Sequence, residues 1–270
     1  MIDSPNKRHL WGYMMKNYIS RIMKNVSKPE LIYWWILRGL MIYGIVKSLI
    51  FGDDYLGSSQ PLQMTANLVG MFAYEIAQAL PGKNRLKYFS PYFQNITALG
   101  FFLGSFCGAY LNFYYSVPFF DKALHAFGTA EAVFIGYEYV GATQLKRKAT
   151  CDPEIAVLCA LGLAFIISTA WELFEFSYDQ FAGGDAQHWS YQNALAAAGG
   201  DPSKIFNLFD PKDPSRFALM DTMGDIVMNF AGGIPMYIIL RIKPYLHSKK
   251  RNINLEVEQL LKVEVQSKSA

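Results

Sequence analysis

Long apolar runs alternate with short polar connections along this chain. About six runs stand out, near residues 31–51, 62–80, 94–115, 121–142, 153–176 and 221–242. Each approaches the ~20 residues that a helix rising ~1.5 Å per residue needs to cross the hydrocarbon core of a bilayer. The apolar positions are contiguous rather than alternating, which predicts helices and disfavours a β-barrel. Gly100, Gly104, Gly108, Gly128 and Gly136 fall inside the third and fourth runs, where small residues let helices approach closely. The expected fold is therefore all-α, a polytopic transmembrane helix bundle forming one domain over residues 31–242.

The polar connections set an orientation. Lys7, Arg8, Lys16, Arg21, Lys24 and Lys28 precede the first run, and Lys83, Arg85 and Lys87 follow the second. Lys146, Arg147 and Lys148 follow the fourth, and Arg241, Lys243, Lys249, Lys250 and Arg251 follow the sixth. The intervening connections are poor in bases or acidic. Bases accumulate on the cytoplasmic side, so both termini are expected there. In residues 1–30, Leu10, Trp11, Met14, Met15, Tyr18, Ile19, Ile22, Met23 and Val26 recur at helical spacing against a basic face. That pattern predicts an amphipathic helix on anionic cytoplasmic lipid, with a partner-binding helix as the alternative. Residues 177–220 form a long external loop containing a short helix around His188 to Ala198, and a lid over neighbouring chemistry is one expectation for it. Residues 243–270 read as a cytoplasmic tail, either a short helix or disordered.

Composition agrees. The chain has 270 residues, 52% hydrophobic and only 17% charged, against roughly 25% charged in soluble domains. The basic, polar start lacks the short apolar core of a cleavable signal peptide. Cys107, Cys151 and Cys159 all fall outside the external connections, so no disulfide framework is expected. No nucleic-acid partner is expected; membrane lipid is.

Ionisable groups inside a bilayer are costly, and here they cluster. Asp121 and His125 lie at i, i+4 at the start of the fourth run. Glu172 and Glu175 lie at i, i+3 near the end of the fifth, with Ser168 one turn below. Asp221, Asp225 and Asn229 form an i, i+4, i+8 stripe at the start of the sixth. The orientation puts all of them within roughly 10 Å of the outer boundary. Five carboxylates at that depth need protons or a cation, and a divalent metal neutralises them most simply. Oxygen ligands with one imidazole suit Mg, Mn, Fe or Zn, with Asp121, His125, Glu172 and Asp225 as expected ligands. Glu175 and Asp221 are then candidates for a catalytic base or further ligands. The bland alternatives are that Asp121 and Asp221 are helix N-caps, that Glu175 sits in interfacial water, and that the whole cluster is a structural polar network. At the opposite face, Arg38 and Glu75 share a depth, which predicts an ion pair; Glu131 lies between the two faces.

At Asp121-Lys122-x-x-His125 with Gly128, Trp171-Glu172-x-x-Glu175, and Asp221-Thr222-x-x-Asp225 with Asn229 and Gly232, the chain resembles the YjdF-like family of bacterial inner-membrane proteins, and more distantly the VanZ-like proteins. The resemblance implies a polytopic envelope protein; the VanZ-like members, linked to glycopeptide resistance, point to the outer face. The expected function is a divalent-metal-dependent enzyme acting on a lipid or envelope-linked substrate. The alternatives are a proton- or cation-coupled transporter and a non-catalytic envelope protein. The sequence leaves the oligomeric state open.

Overall fold

A computed structural model describes residues 19–51, 60–80, 84–182, 187, 190–209, 214–245, 247, 248 and 251–269. The fold is all-α, apart from a two-residue antiparallel pairing of His247–Ser248 with Arg251–Asn252. Helices occupy all six apolar intervals. Three of them, Lys28–Phe51, Pro153–Phe181 and Phe217–Ile242, are long and apolar enough to cross a membrane by length and composition.

Local chemistry explains where the helices begin and break. Helix α1 (Lys28–Phe51) opens with a capping box: the Glu30 carboxylate accepts from the Ser27 N–H at 2.8 Å, and Ser27 Oγ accepts from the Glu30 N–H at 3.4 Å. The second interval is not one helix but two, α2 (Gln60–Gly70) and α3 (Ala73–Ala79). At the break the Met71 carbonyl accepts from Arg38 Nε at 3.2 Å, from Arg38 Nη2 and from the Gln94 amide, so a backbone group freed inside the bundle is satisfied. Helix α4 (Pro91–Phe101) starts on a proline and runs on through a π-helical stretch, Phe102–Tyr110. It stops short of the expected residue 115, because Asn112 turns the chain at φ 60° in the left-handed region.

Helix α5 (Phe120–Arg147) is the hub, packed along α6 (Pro153–Ala182) and α8 (Phe217–Ile242). Asp152 caps α6, its Oδ1 accepting from the Glu154 N–H at 2.8 Å and the Ile155 N–H at 3.3 Å. Glycine sets two of the close approaches. A side chain at Gly136 would strike the Ala160 carbonyl at 2.8 Å, and one at Gly232 would collide with the Ala126 backbone. Gly128 differs from the expectation: nothing lies within 4 Å of its missing Cβ, so it opens space instead of seating a neighbour.

Burial is inverted relative to a soluble protein. Ile36, Leu49 and Ile50 on α1, Leu158 and Ile166 on α6, and Ile238 and Ile239 on α8 face outward, whereas Arg38, Gln94, Lys122, Glu138 and Asp225 are buried. Water would penalise the first set; a hydrocarbon solvent penalises any outward exposure of the second.

The N-terminal end departs from expectation, and the tail takes the helical alternative. Residues 19–25 are helical, but Ile22 and Val26 are buried in a cluster with Trp34 and Tyr74, and only Ile19 and Met23 remain exposed. That end of the basic segment therefore seats on the bundle rather than wholly on lipid; Leu10 to Tyr18 lie outside the described residues. The tail forms a 17-residue helix, α9 (Ile253–Ser269), anchored on α5 and α6 by Ile253 and Val257. Asn254 adds hydrogen bonds to Gln144 and Cys151. In the long segment before α8, α6 continues to Ala182, and a short helix, α7 (Tyr191–Ala197), starts on a Ser190 cap.

Candidate functional site

The three acidic segments meet. Phe119, at φ 55°, turns the chain into α5, whose first turns carry Asp121, Lys122 and His125. The contact of Gly232 with the Ala126 backbone brings the α8 stripe against this face, and α6 supplies Glu172 and Glu175 from the other side.

The centre of the cluster is Lys122, only 1% exposed. Its Nζ donates to Asp221 Oδ1 at 2.6 Å, Asp225 Oδ1 at 2.7 Å and Asp121 Oδ2 at 3.1 Å. An ammonium has three protons to donate, and all three find carboxylates. In the sequence Lys122 stands out only as part of the Asp121-Lys122-x-x-His125 motif. One expectation falls with that. Asp221 is not an N-cap: α8 begins at Phe217 with Arg216 at the cap position, and Asp221 lies a turn inside, buried against Lys122. Lys122 brings a single positive charge to three aspartates, so the cluster keeps a surplus of carboxylates. Asp121 lies in the first turn of α5, after the cap position held by Phe119.

His125 sits between the aspartates and the glutamates. Its Nε2 is 3.5 Å from Asp225 Oδ1 and 3.7 Å from Asp121 Oδ1, and its Nδ1 is 3.6 Å from Glu172 Oε1. Two trios follow, each with candidate ligand atoms within 4.8 Å of one another: Asp121, His125 and Asp225, and His125, Glu172 and Glu175. They differ in compensation. Glu172 is 7% exposed, and neither of its carboxylate oxygens has a hydrogen bond of normal geometry; the Asn229 amide approaches it only loosely. Glu175, a candidate base or ligand with interfacial water as the bland alternative, is 9% exposed and turned inward. Below them Thr129 Oγ1 donates to Asn229 Oδ1 at 2.7 Å and lies 2.9 Å from Ser168 Oγ. Thr129, like Lys122, was missed; its i+4 offset from His125 was the available signal.

A cavity of about 340 Å³ opens beside the cluster. Asp121, His125, Ser168, Glu175 and Asn229 line one end, Leu124, Phe127 and Trp171 its apolar walls, and Thr97 and Glu131 the far end. Gly128 borders it, which explains the open space at that glycine. The segment between α6 and α8 also reaches the ion cluster. Ile205, Phe206 and Asn207 share a small crevice with Asp121 and Asp221, and Phe206 meets the Phe119 ring at 6.1 Å. Gln187 ties the segment to both flanking helices, its N–H to Asp179 at 2.9 Å and its amide to Thr222 Oγ1 at 3.1 Å.

At the other end of the bundle Arg38 and Glu75 pair as expected, with Arg38 Nη1 donating to Glu75 Oε1 at 3.0 Å and a second contact alongside.

A family model described as "Predicted membrane protein (DUF2238)" matches residues 35–244, which contain every residue of the cluster. An uncharacterized protein of Thermotoga maritima is 35% identical over 81 residues, 29% of this chain and 40% of that relative's length. The chain thus spans less than half of the relative it matches. No solved structure matches. The YjdF-like resemblance agrees with the family match, and nothing found supports the VanZ-like one.

Proposed function

The chain belongs to the DUF2238 family of membrane proteins, and from that premise we propose that it carries a divalent-metal site acting on a lipid or lipid-linked envelope substrate. In this reading the six helical intervals are six spans of the cell membrane, with both ends cytoplasmic and the acid cluster near the outer leaflet.

The observation that carries the reading is Glu172. A carboxylate buried without a well-formed hydrogen bond is unfavourable unless it is neutralised, and this one stands 3.6 Å from an imidazole nitrogen with Glu175 in the same trio. The ligand set therefore narrows from the expected Asp121, His125, Glu172 and Asp225 to His125, Glu172 and Glu175, because Lys122 already holds Asp121 and Asp225. Two carboxylates and one imidazole, with no thiolate, suit Mg, Mn, Fe or Zn. A bound ion would supply Lewis-acid polarisation of a phosphoryl or carbonyl oxygen. Asp221, saturated by Lys122 and covered by the external segment, leaves the base role; Asp121, whose side chain is 23% exposed and borders the cavity, takes it. Apolar walls running from the acid cluster suit the chain of an amphiphile whose polar group meets His125 and Glu175.

Elemental analysis of the purified protein tests this. A stoichiometric divalent ion is expected, lost in Glu172→Gln and Glu175→Gln and retained in Asp121→Asn. Metal-free protein, or full occupancy in both glutamate variants, sinks the reading. A coupled transporter using the same carboxylates is the second reading, favoured by the reach of the cavity to Glu131.

A further inference from the structure

Glu131 belongs to none of the ion pairs above and stands where two cavities meet. The first runs from the acid cluster, between the start of α5 and the end of α6, down to Glu131. The second, about 500 Å³ and more open, is lined by Glu30 at the start of α1, Tyr92 and Asn95 at the start of α4, and Met236 late in α8. These positions lie at the opposite end of the bundle. Glu131 and Phe127, one turn apart on α5, are the residues the two linings share. Gly100 on α4 keeps the place open, since a side chain there would strike the Glu131 carboxylate.

The surroundings of Glu131 hold little counter-charge. From the outer cavity it is faced by Tyr114, Asp121, His125 and Glu175, and from the inner one by Glu30, Tyr33 and Tyr92. Among the described residues no Lys or Arg lines either cavity. Each space has room for several waters at ~30 Å³ apiece, and each lining carries polar side chains, Asp121, His125 and Asn229 in the first and Glu30, Tyr92 and Asn95 in the second. A carboxyl group between two water-sized cavities, with acids and phenols and no fixed cation around it, has the environment of a group that takes up a proton from one side and releases it to the other. We propose that Glu131 is a proton-carrying residue joining the two cavities, and that the protein passes protons across the membrane. This stands apart from the metal reading, since Glu131 is outside the proposed ligand trio.

The test is proton flux in liposomes of phosphatidylcholine and phosphatidylglycerol with a trapped pH dye, driven by a potassium diffusion potential with valinomycin. Wild type is expected to exceed empty liposomes at least ten-fold. Glu131→Gln is expected to fall to the empty-liposome rate, and Glu131→Asp to retain part of the flux. Size exclusion and thermal unfolding check that the variants fold. If Glu131→Gln does not fold, wild type is treated with dicyclohexylcarbodiimide, which labels protonated acids in apolar surroundings, and mapped by mass spectrometry; an adduct on Glu131 supports the proposal and its absence overturns it. Flux absent from wild type, unchanged in folded Glu131→Gln, or replaced by a sodium current without proton movement also overturns it. Metal content measured on the same preparations separates this outcome from failure of the metal site.

Discussion

Arg38 and Lys122 are both buried cations held by carboxylates, yet the two regions around them are built on different arithmetic. At the Arg38 end one guanidinium meets one carboxylate. Its remaining donors go to the Met71 carbonyl, and the Phe72 ring stacks on it at 3.7 Å. Charge and hydrogen bonding close on themselves. At the Lys122 end one ammonium serves three aspartates, and beyond them stand His125, Glu172 and Glu175, with no Lys or Arg paired to those two glutamates among the described residues. Burial is common to both regions; what distinguishes the Lys122 end is a surplus of acceptors beside a cavity. A closed pair ties helices together, whereas a surplus of buried carboxylates has to be offset by protons or a cation.

The largest effect should come from Lys122→Met. Removing one partner of a buried pair costs about 3–5 kcal/mol, because the other charge is left uncompensated. Here three aspartates are left, so destabilisation at or above the top of that range is expected, read as loss of monodisperse protein or by unfolding in detergent. Arg38→Met orphans one carboxylate and should fall toward ~3 kcal/mol. The double variant Arg38→Met with Glu75→Leu should recover most of that, since a closed pair replaced by apolar side chains is often nearly neutral. Equal losses in the two single variants would break the comparison, for the three aspartates would then not depend on Lys122 jointly.

Much of this contrast was legible in the sequence, and the reasons for the misses are physical. Run length and base distribution located all six helical intervals, and equal depth paired Arg38 with Glu75. The i, i+4 and i, i+3 spacings brought Asp121, His125, Glu172 and Asp225 together, because helical periodicity is a local property. Lys122 was not legible as a core residue: a long flexible side chain near a helix end can reach for water or turn inward, and only the tertiary neighbours decide. Asp221 looked like a cap because Asp favours that position; the helix starts a turn earlier, where Phe217 is buried. The break at Met71 depends on Arg38 and Gln94, distant in sequence, to satisfy its carbonyl. The docking of α9 buries Ile253 and Val257 but leaves Leu255, Leu260, Leu261, Val263 and Val265 exposed, so the apolar pattern alone did not mark which residues dock.

The smallest effect sharpens the comparison most. Thr129 joins Asn229 and Ser168 below the glutamates but touches neither Lys122 nor the His125, Glu172 and Glu175 trio through a hydrogen bond. Thr129→Val keeps the shape and removes one donor, at a cost of about 1 kcal/mol. If the Lys122 region is an ion pair beside a separate ligand trio, that variant should keep its divalent ion while unfolding slightly earlier. Loss of the ion would mean that the orientation of Asn229 governs the trio. The Lys122 region would then act as one connected network reaching Ser168, unlike the self-contained pair at Arg38.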